Sequence, residues 1–167
     1  MSALHDLTAS EAAGLVRRRK VSSLELVDAL LARIGRFEPA LRSFVTVDAD
    51  GARAAAKAAD AALQAGQKTG PLHGVPFAAK DIYDAEGLPT TAGYAPLADN
   101  VAKADAFSVA RMKGAGAVLI GKTVTIQFAS GDPSPTRNPW RADRTPGPTS
   151  RSGWAARGRD WRNRQPP

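Results

Sequence analysis

The chain has 167 residues, 43% of them hydrophobic and 23% charged, a balance that suits one soluble globular domain. It contains no cysteine and only two histidines, His5 and His73, which excludes disulfides, thiolate zinc sites and cysteine nucleophiles and leaves little for a metal cluster. The net charge is +7, but residues 148–167 hold five arginines against the single acid Asp160, so the rest of the chain is only weakly basic.

Thr8 and Glu11 have capping-box spacing and predict the start of a short helix. Ser22 and Glu25 repeat the spacing, and Val27, Leu30, Leu31 and Ile34 then fall on one buried helical stripe. The basic run from Arg17 to Lys20 lies between them, at a helix end where cations suit the macrodipole, and reads as solvated surface. Phe44 to Val47 reads as a strand. Asp48 then caps an alanine-rich helix that runs to about Ala65 and stops at Gly66.

Residues 70–76 are turn-rich, 75–79 form a short apolar strand, and Lys80 with Asp81 stands at its C-terminal end, where an α/β sheet opens its ligand crevice. A second turn-rich stretch, 87–96, precedes a helix over 105–113. Gly114 and Gly116 then lead into a buried strand over 117–120. These glycines do not follow a strand, so they give no support to dinucleotide binding. The pattern as a whole is α/β.

No run approaches the ~18 apolar residues of a membrane helix, and Met1 to Asp6 lacks the layout of a secretion signal; the expected location is the cytoplasm, without a membrane partner. From Pro148 onward the apolar period disappears and Arg, Trp, Gly and Pro dominate. Residues 148–167 are therefore expected to be a disordered tail beyond a domain of residues 1–147.

The middle of the chain reads Gly70-Pro-Leu-His-Gly-Val-Pro-Phe-Ala-Ala-Lys80-Asp-Ile, then Gly87-Leu-Pro-Thr-Thr-Ala-Gly93. Further on come Gly114-Ala-Gly-Ala-Val-Leu-Ile-Gly-Lys-Thr123, Gln127-Phe-Ala129, Thr136-Arg-Asn-Pro-Trp140 and Arg144-Thr-Pro-Gly147. With Leu7-Thr-Ala and Val21-Ser-Ser-Leu-Glu-Leu before them, these blocks resemble the amidase signature family over about residues 5–147. The resemblance implies the N-terminal portion of an α/β/α sandwich around a mixed central sheet, incomplete in this chain. It also implies hydrolysis of a carbon–nitrogen amide bond by a serine, a second serine in a cis peptide bond and a lysine, with no metal or cofactor.

Lys80 occupies the lysine position, and Ala129 falls where the family brings a backbone group near the substrate. A serine hydroxyl attacks an amide only when a base takes its proton, and a neutral lysine in a poorly solvated crevice is such a base. His73 lies among glycine and prolines and reads as a turn residue. Asp81 and Asp84 read as turn caps or partners of a lysine, without a catalytic role.

After Gly147 the family pattern continues with glycines and serines, one of them the bridging serine. Here Pro148-Thr-Ser-Arg-Ser-Gly follows, with Thr149 or Ser150 in the bridging slot and Pro148 and Arg151 in place of small residues. The nucleophile belongs further on, so the expectation is a chain without it and without turnover, the tail being an out-of-frame reading of the gene. The alternatives are a tRNA-dependent amidotransferase subunit, or a binding module whose arginines, with Trp154 and Trp161, contact nucleic acid, which ranks lower because arginine richness arises easily from composition. Lys122-Thr-Val-Thr125 leans toward a free-standing amidase acting on a small-molecule amide.

Overall fold

The first two helices begin at their caps. In the computed structural model, which describes residues 3–130 and 134–145, α1 spans Ala9–Arg17 and α2 spans Ser23–Leu41. The Glu11 N–H donates to the Thr8 hydroxyl at 3.2 Å, and the Thr8 N–H donates to the Glu11 carboxylate at 2.8 Å. Ser22 and Glu25 repeat the exchange at 3.0 and 2.7 Å. Each box satisfies donors that the first helical turn leaves without an intrahelical partner. Arg17 to Lys20 are exposed, as the sequence reading has them.

α2 buries Val27 and Leu31, with Leu30 and Ile34 packed beside them, so the predicted stripe is the face turned to the core. Each of the two buried side chains contributes about 1.5–3 kcal/mol by leaving water. Pro39 sits in the last turn without an N–H to donate, and the helix ends at Leu41, with Arg42 in the left-handed region at φ 53°. Strand β1, Phe44–Val47, follows, and then α3, Ala49–Gln64, whose cap Asp48 accepts from the Gly51 N–H at 3.1 Å. Ala52 and Ala56 are fully buried, and their small side chains let α3 approach the sheet closely.

Strands β2, Pro76–Lys80, and β3, Val118–Thr123, complete a three-stranded mixed sheet in the order β1-β3-β2, with α4, Phe107–Gly114, between them in sequence. β2 runs parallel to β3 and β1 antiparallel to it. β3 is longer than its sequence predicts. Gly121 and Lys122 look like strand breakers, but pairing on both sides holds them in the ladder and overrides local propensity. Gly121 is required there, because a Cβ at that position would stand 2.2 Å from the Thr46 carbonyl oxygen of β1.

β3 separates two cores. Val118 and Ile120 pack with Val27, Leu31, Ala52 and Ala56 under α2 and α3. Leu119 packs on the other side with Phe77, Ala79, Ala85 and Val109 under α4. The result is a helix–sheet–helix layering. The register steps from Phe77↔Leu119 to Ala78↔Gly121, so Ile120 is an extra residue, a bulge that sets Lys122 opposite Ala79. No described helix is long and apolar enough to cross a membrane. The expected tail, with Thr149 and Ser150, lies outside the described residues.

Candidate active site

Lys80 is the last residue of β2 and pairs in register with Thr123, the last residue of β3. It therefore stands at the C-terminal edge of the parallel pair, where the sequence reading puts the crevice, and it is half-buried. Its carbonyl accepts from the N–H groups of Ile82 and Tyr83 at 2.8 and 2.9 Å, a tight turn that closes the strand. A hollow of about 310 Å³ opens beside it, lined by Ala78, Lys80, Tyr83, Ser108, Val109 and Met112. Larger hollows of about 420 and 910 Å³ run along α2, but neither contains Lys80 or lies at the C-terminal edge of the parallel strands, so position favours the smaller one.

Asp81, the next residue, is fully buried, as is Lys122 of β3; the two form an ion pair with Lys122 Nζ 2.9 Å from Asp81 Oδ1. The approach to Oδ1 lies off a good hydrogen-bond direction, so this contact is electrostatic. Lys122 Nζ also donates to the Pro89 carbonyl and to Thr90 Oγ1, each at 2.9 Å. Oδ2 of Asp81 accepts from the Thr91 N–H at 3.2 Å and from the Thr91 hydroxyl. Of the two roles the sequence leaves open for Asp81, turn cap or partner of a lysine, the second is observed, with Lys122 as the lysine. A lysine one residue beyond the apolar run 117–120, across Gly121, is the signal that points to it.

Three segments are joined at this edge. The Asp81 N–H donates to the Thr123 carbonyl at 2.9 Å, the Ala92 N–H to the Asp81 carbonyl at 2.9 Å, and the Phe128 N–H to the Ala92 carbonyl at 2.7 Å. Ala92, Phe128 and Ala129 all adopt left-handed conformations, with φ of 50°, 47° and 59°. Such strain in residues other than glycine persists only where surroundings impose it, and it clusters at functional sites. Ala129 thus lies in a distorted turn whose backbone is held by the loop that follows Lys80. Phe128 and Tyr94 are both exposed and meet with ring centroids 5.3 Å apart, so the edge has an aromatic wall.

Asp105 ties α4 to the same region. Burial pushes its carboxyl up, but the Lys113 ammonium at 2.7 Å and the Glu86 N–H at 2.8 Å together hold it below the usual carboxylate range. His73 lies in the turn before β2, with Nε2 2.9 Å from the Ala59 carbonyl, and stands apart from the Lys80 hollow's lining. Asp84 lends its backbone carbonyl to the Ala106 N–H. Among the described residues no group of three or more His, Cys, Asp or Glu is placed to hold a metal.

Residues 25–157 match the family model described as Amidase, a span that runs past Gly147 into the arginine-rich segment. A glutamyl-tRNA(Gln) amidotransferase subunit of Roseiflexus sp. (strain RS-1) is 47% identical over 162 residues, covering 93% of this chain and 33% of that protein. An amidase of Pseudomonas putida is 45% identical over 148 residues, covering 88% and 31%. A bacterial aryl acylamidase of the amidase signature family superposes with a TM-score of 0.80 at 28% identity, over 86% of this chain and 31% of its own. The chain spans about a third of the length of the curated relatives it matches.

Proposed function

The chain belongs to the amidase family, and from that membership we propose that Lys80 is the base of an amide-hydrolysing site, taking the proton of a serine as a small-molecule carbon–nitrogen amide is cleaved. The observation that carries this reading is the placement of Lys80, half-buried at the C-terminal edge of β2 beside a hollow. An amine there can exchange a proton with a hydroxyl brought to it. Lys122 is unsuited to that task, because it is fully buried, donates to Pro89 and Thr90, and is neutralised by the Asp81 carboxylate. The strained backbone at Ala129 supports a main-chain contact to substrate at that residue.

The reading extends to the chain as it stands, which does not turn over amides by itself. In support, Pro148 and Arg151 occupy positions where the family pattern has small residues, and the glycine- and serine-rich stretch that supplies the bridging serine is interrupted. Incubation with simple aliphatic and aryl amides is expected to release no product. Turnover that disappears in Lys80→Ala would overturn the inactivity and leave the role of Lys80 standing.

The role of Lys80 is tested by grafting residues 1–145 onto the remainder of the Pseudomonas putida amidase. The chimera is expected to hydrolyse amides, and Lys80→Ala to lower its rate by about 10²–10⁴. Full activity in the Lys80→Ala chimera would exclude Lys80 as the base.

A tRNA-dependent amidotransferase subunit is the second reading, favoured by the 47% identity to one such protein. The 45% identity to an amidase is nearly equal, and Lys122-Thr-Val-Thr125 favours a free-standing enzyme. Ammonia release by the chimera without partner subunits supports the free-standing enzyme; dependence on them supports the amidotransferase.

A further inference from the structure

The geometry points to Asp81 and Lys122 as positioning residues for Lys80, a buried ion pair that clamps the backbone on which that lysine stands. The inference rests on the reading of Lys80 as the working base. Both members are fully buried, and neither takes part in the proton transfer assigned to Lys80. Two buried charges are costly to desolvate, and in proteins generally an apolar pair of similar volume is often as stable or more so, so stability is a weak reason for them. What the pair supplies is direction.

Lys122 donates to the Pro89 carbonyl and to Thr90 Oγ1, both in the loop that leaves the Lys80 turn. Oδ1 of Asp81 meets the ammonium as a charge contact, and the other oxygen accepts from Thr91. The main chain of Asp81 is fixed as well, by Thr123 on its N–H and Ala92 on its carbonyl. The pair therefore grips the peptide that follows Lys80 through both its side chains and its main chain. A proton acceptor is sensitive to such restraint, since misplacement by about 1 Å costs on the order of 10²-fold in rate.

The test uses the whole 167-residue chain. Lysines of the folded protein are labelled by reductive ¹³C-methylation, and the Lys80 resonance is assigned by its loss in Lys80→Arg. In the native chain it is expected apart from the envelope of the exposed Lys57, Lys68 and Lys103. The double variant Asp81→Asn/Lys122→Met removes both charges at nearly constant volume and is expected to keep its circular dichroism melt while the Lys80 resonance moves into that envelope.

A resonance that stays in place in the folded double variant overturns the proposal, as does a native resonance already inside the envelope. Loss of the fold in the double variant assigns the pair to folding and overturns it too. The resonance reports the surroundings of Lys80 whether or not it acts as a base. A failure here is therefore distinct from a failure of the Lys80→Ala chimera.

Discussion

At the scale of single residues, the contacts that hold this chain divide into local and distant ones. The Glu11 carboxyl is held below its ordinary value of 4.5 by the Thr8 N–H and hydroxyl, and the Glu25 carboxyl by those of Ser22. Because the folded values are depressed, the unfolded chain binds more protons across the window below 4.5, so stability is fully present above it and declines as pH falls through the folded values. Melting temperatures from pH 6 downward are expected to drop below about 4.5, and Glu25→Gln to flatten that drop; an unchanged slope in the variant would count against the boxes. Lys122→Met alone leaves Asp81 buried without its counter-ion and is expected to cost about 3–5 kcal/mol in urea unfolding. The capping boxes are legible in the sequence because their partners are three residues apart. The Asp81–Lys122 pair is not, since its members meet only through the parallel register of β2 on β3.

At the scale of elements, periodicity identifies α2 and composition identifies α3, but it is pairing that sets the length of β3. The run 117–120 reads as a strand on its apolar character alone, while Gly121, Lys122 and Thr123 join it through partners in β1 and β2 that no local window contains. The strained turn at Phe128 and Ala129 is illegible for a related reason: neither residue type favours a left-handed conformation, and the loop at Ala92 imposes it. Lys80 itself is legible, as the polar residue that closes an apolar strand. Gly121→Ala drives a methyl group into the Thr46 carbonyl and is expected to cost about 1–3 kcal/mol, with urea titration as the measurement. A cost near zero would mean that β1 moves away freely.

At the scale of the whole molecule, α2 and α3 lie on one face of the sheet and α4 on the other, and the lysine edge is where β2 and β3 both end. The layering follows from a strand, β3, that presents apolar residues to both faces, and it places the Lys80 hollow between the sheet edge and α4. Hydrogen exchange is expected to be slowest in β3, the central strand, and faster in the loop over 94–101, whose Tyr94 and Val101 are exposed. Uniform protection across the two would contradict the assignment of the core.

The extra residue at Ile120 has a consequence for folding fidelity. Strict alternation along β3 would send Lys122 to the same side as Val118 and Ile120, into the apolar layer under α2 and α3; the bulge reverses its side and delivers it to Asp81. A chain that paired β2 and β3 one-for-one would therefore bury an ammonium group among hydrocarbon with nothing to neutralise it, at a cost of several kcal/mol. The lysine thus acts as an error check on strand pairing: mispaired forms carry their own penalty, and the correct form is the one in which the charge disappears into a partner.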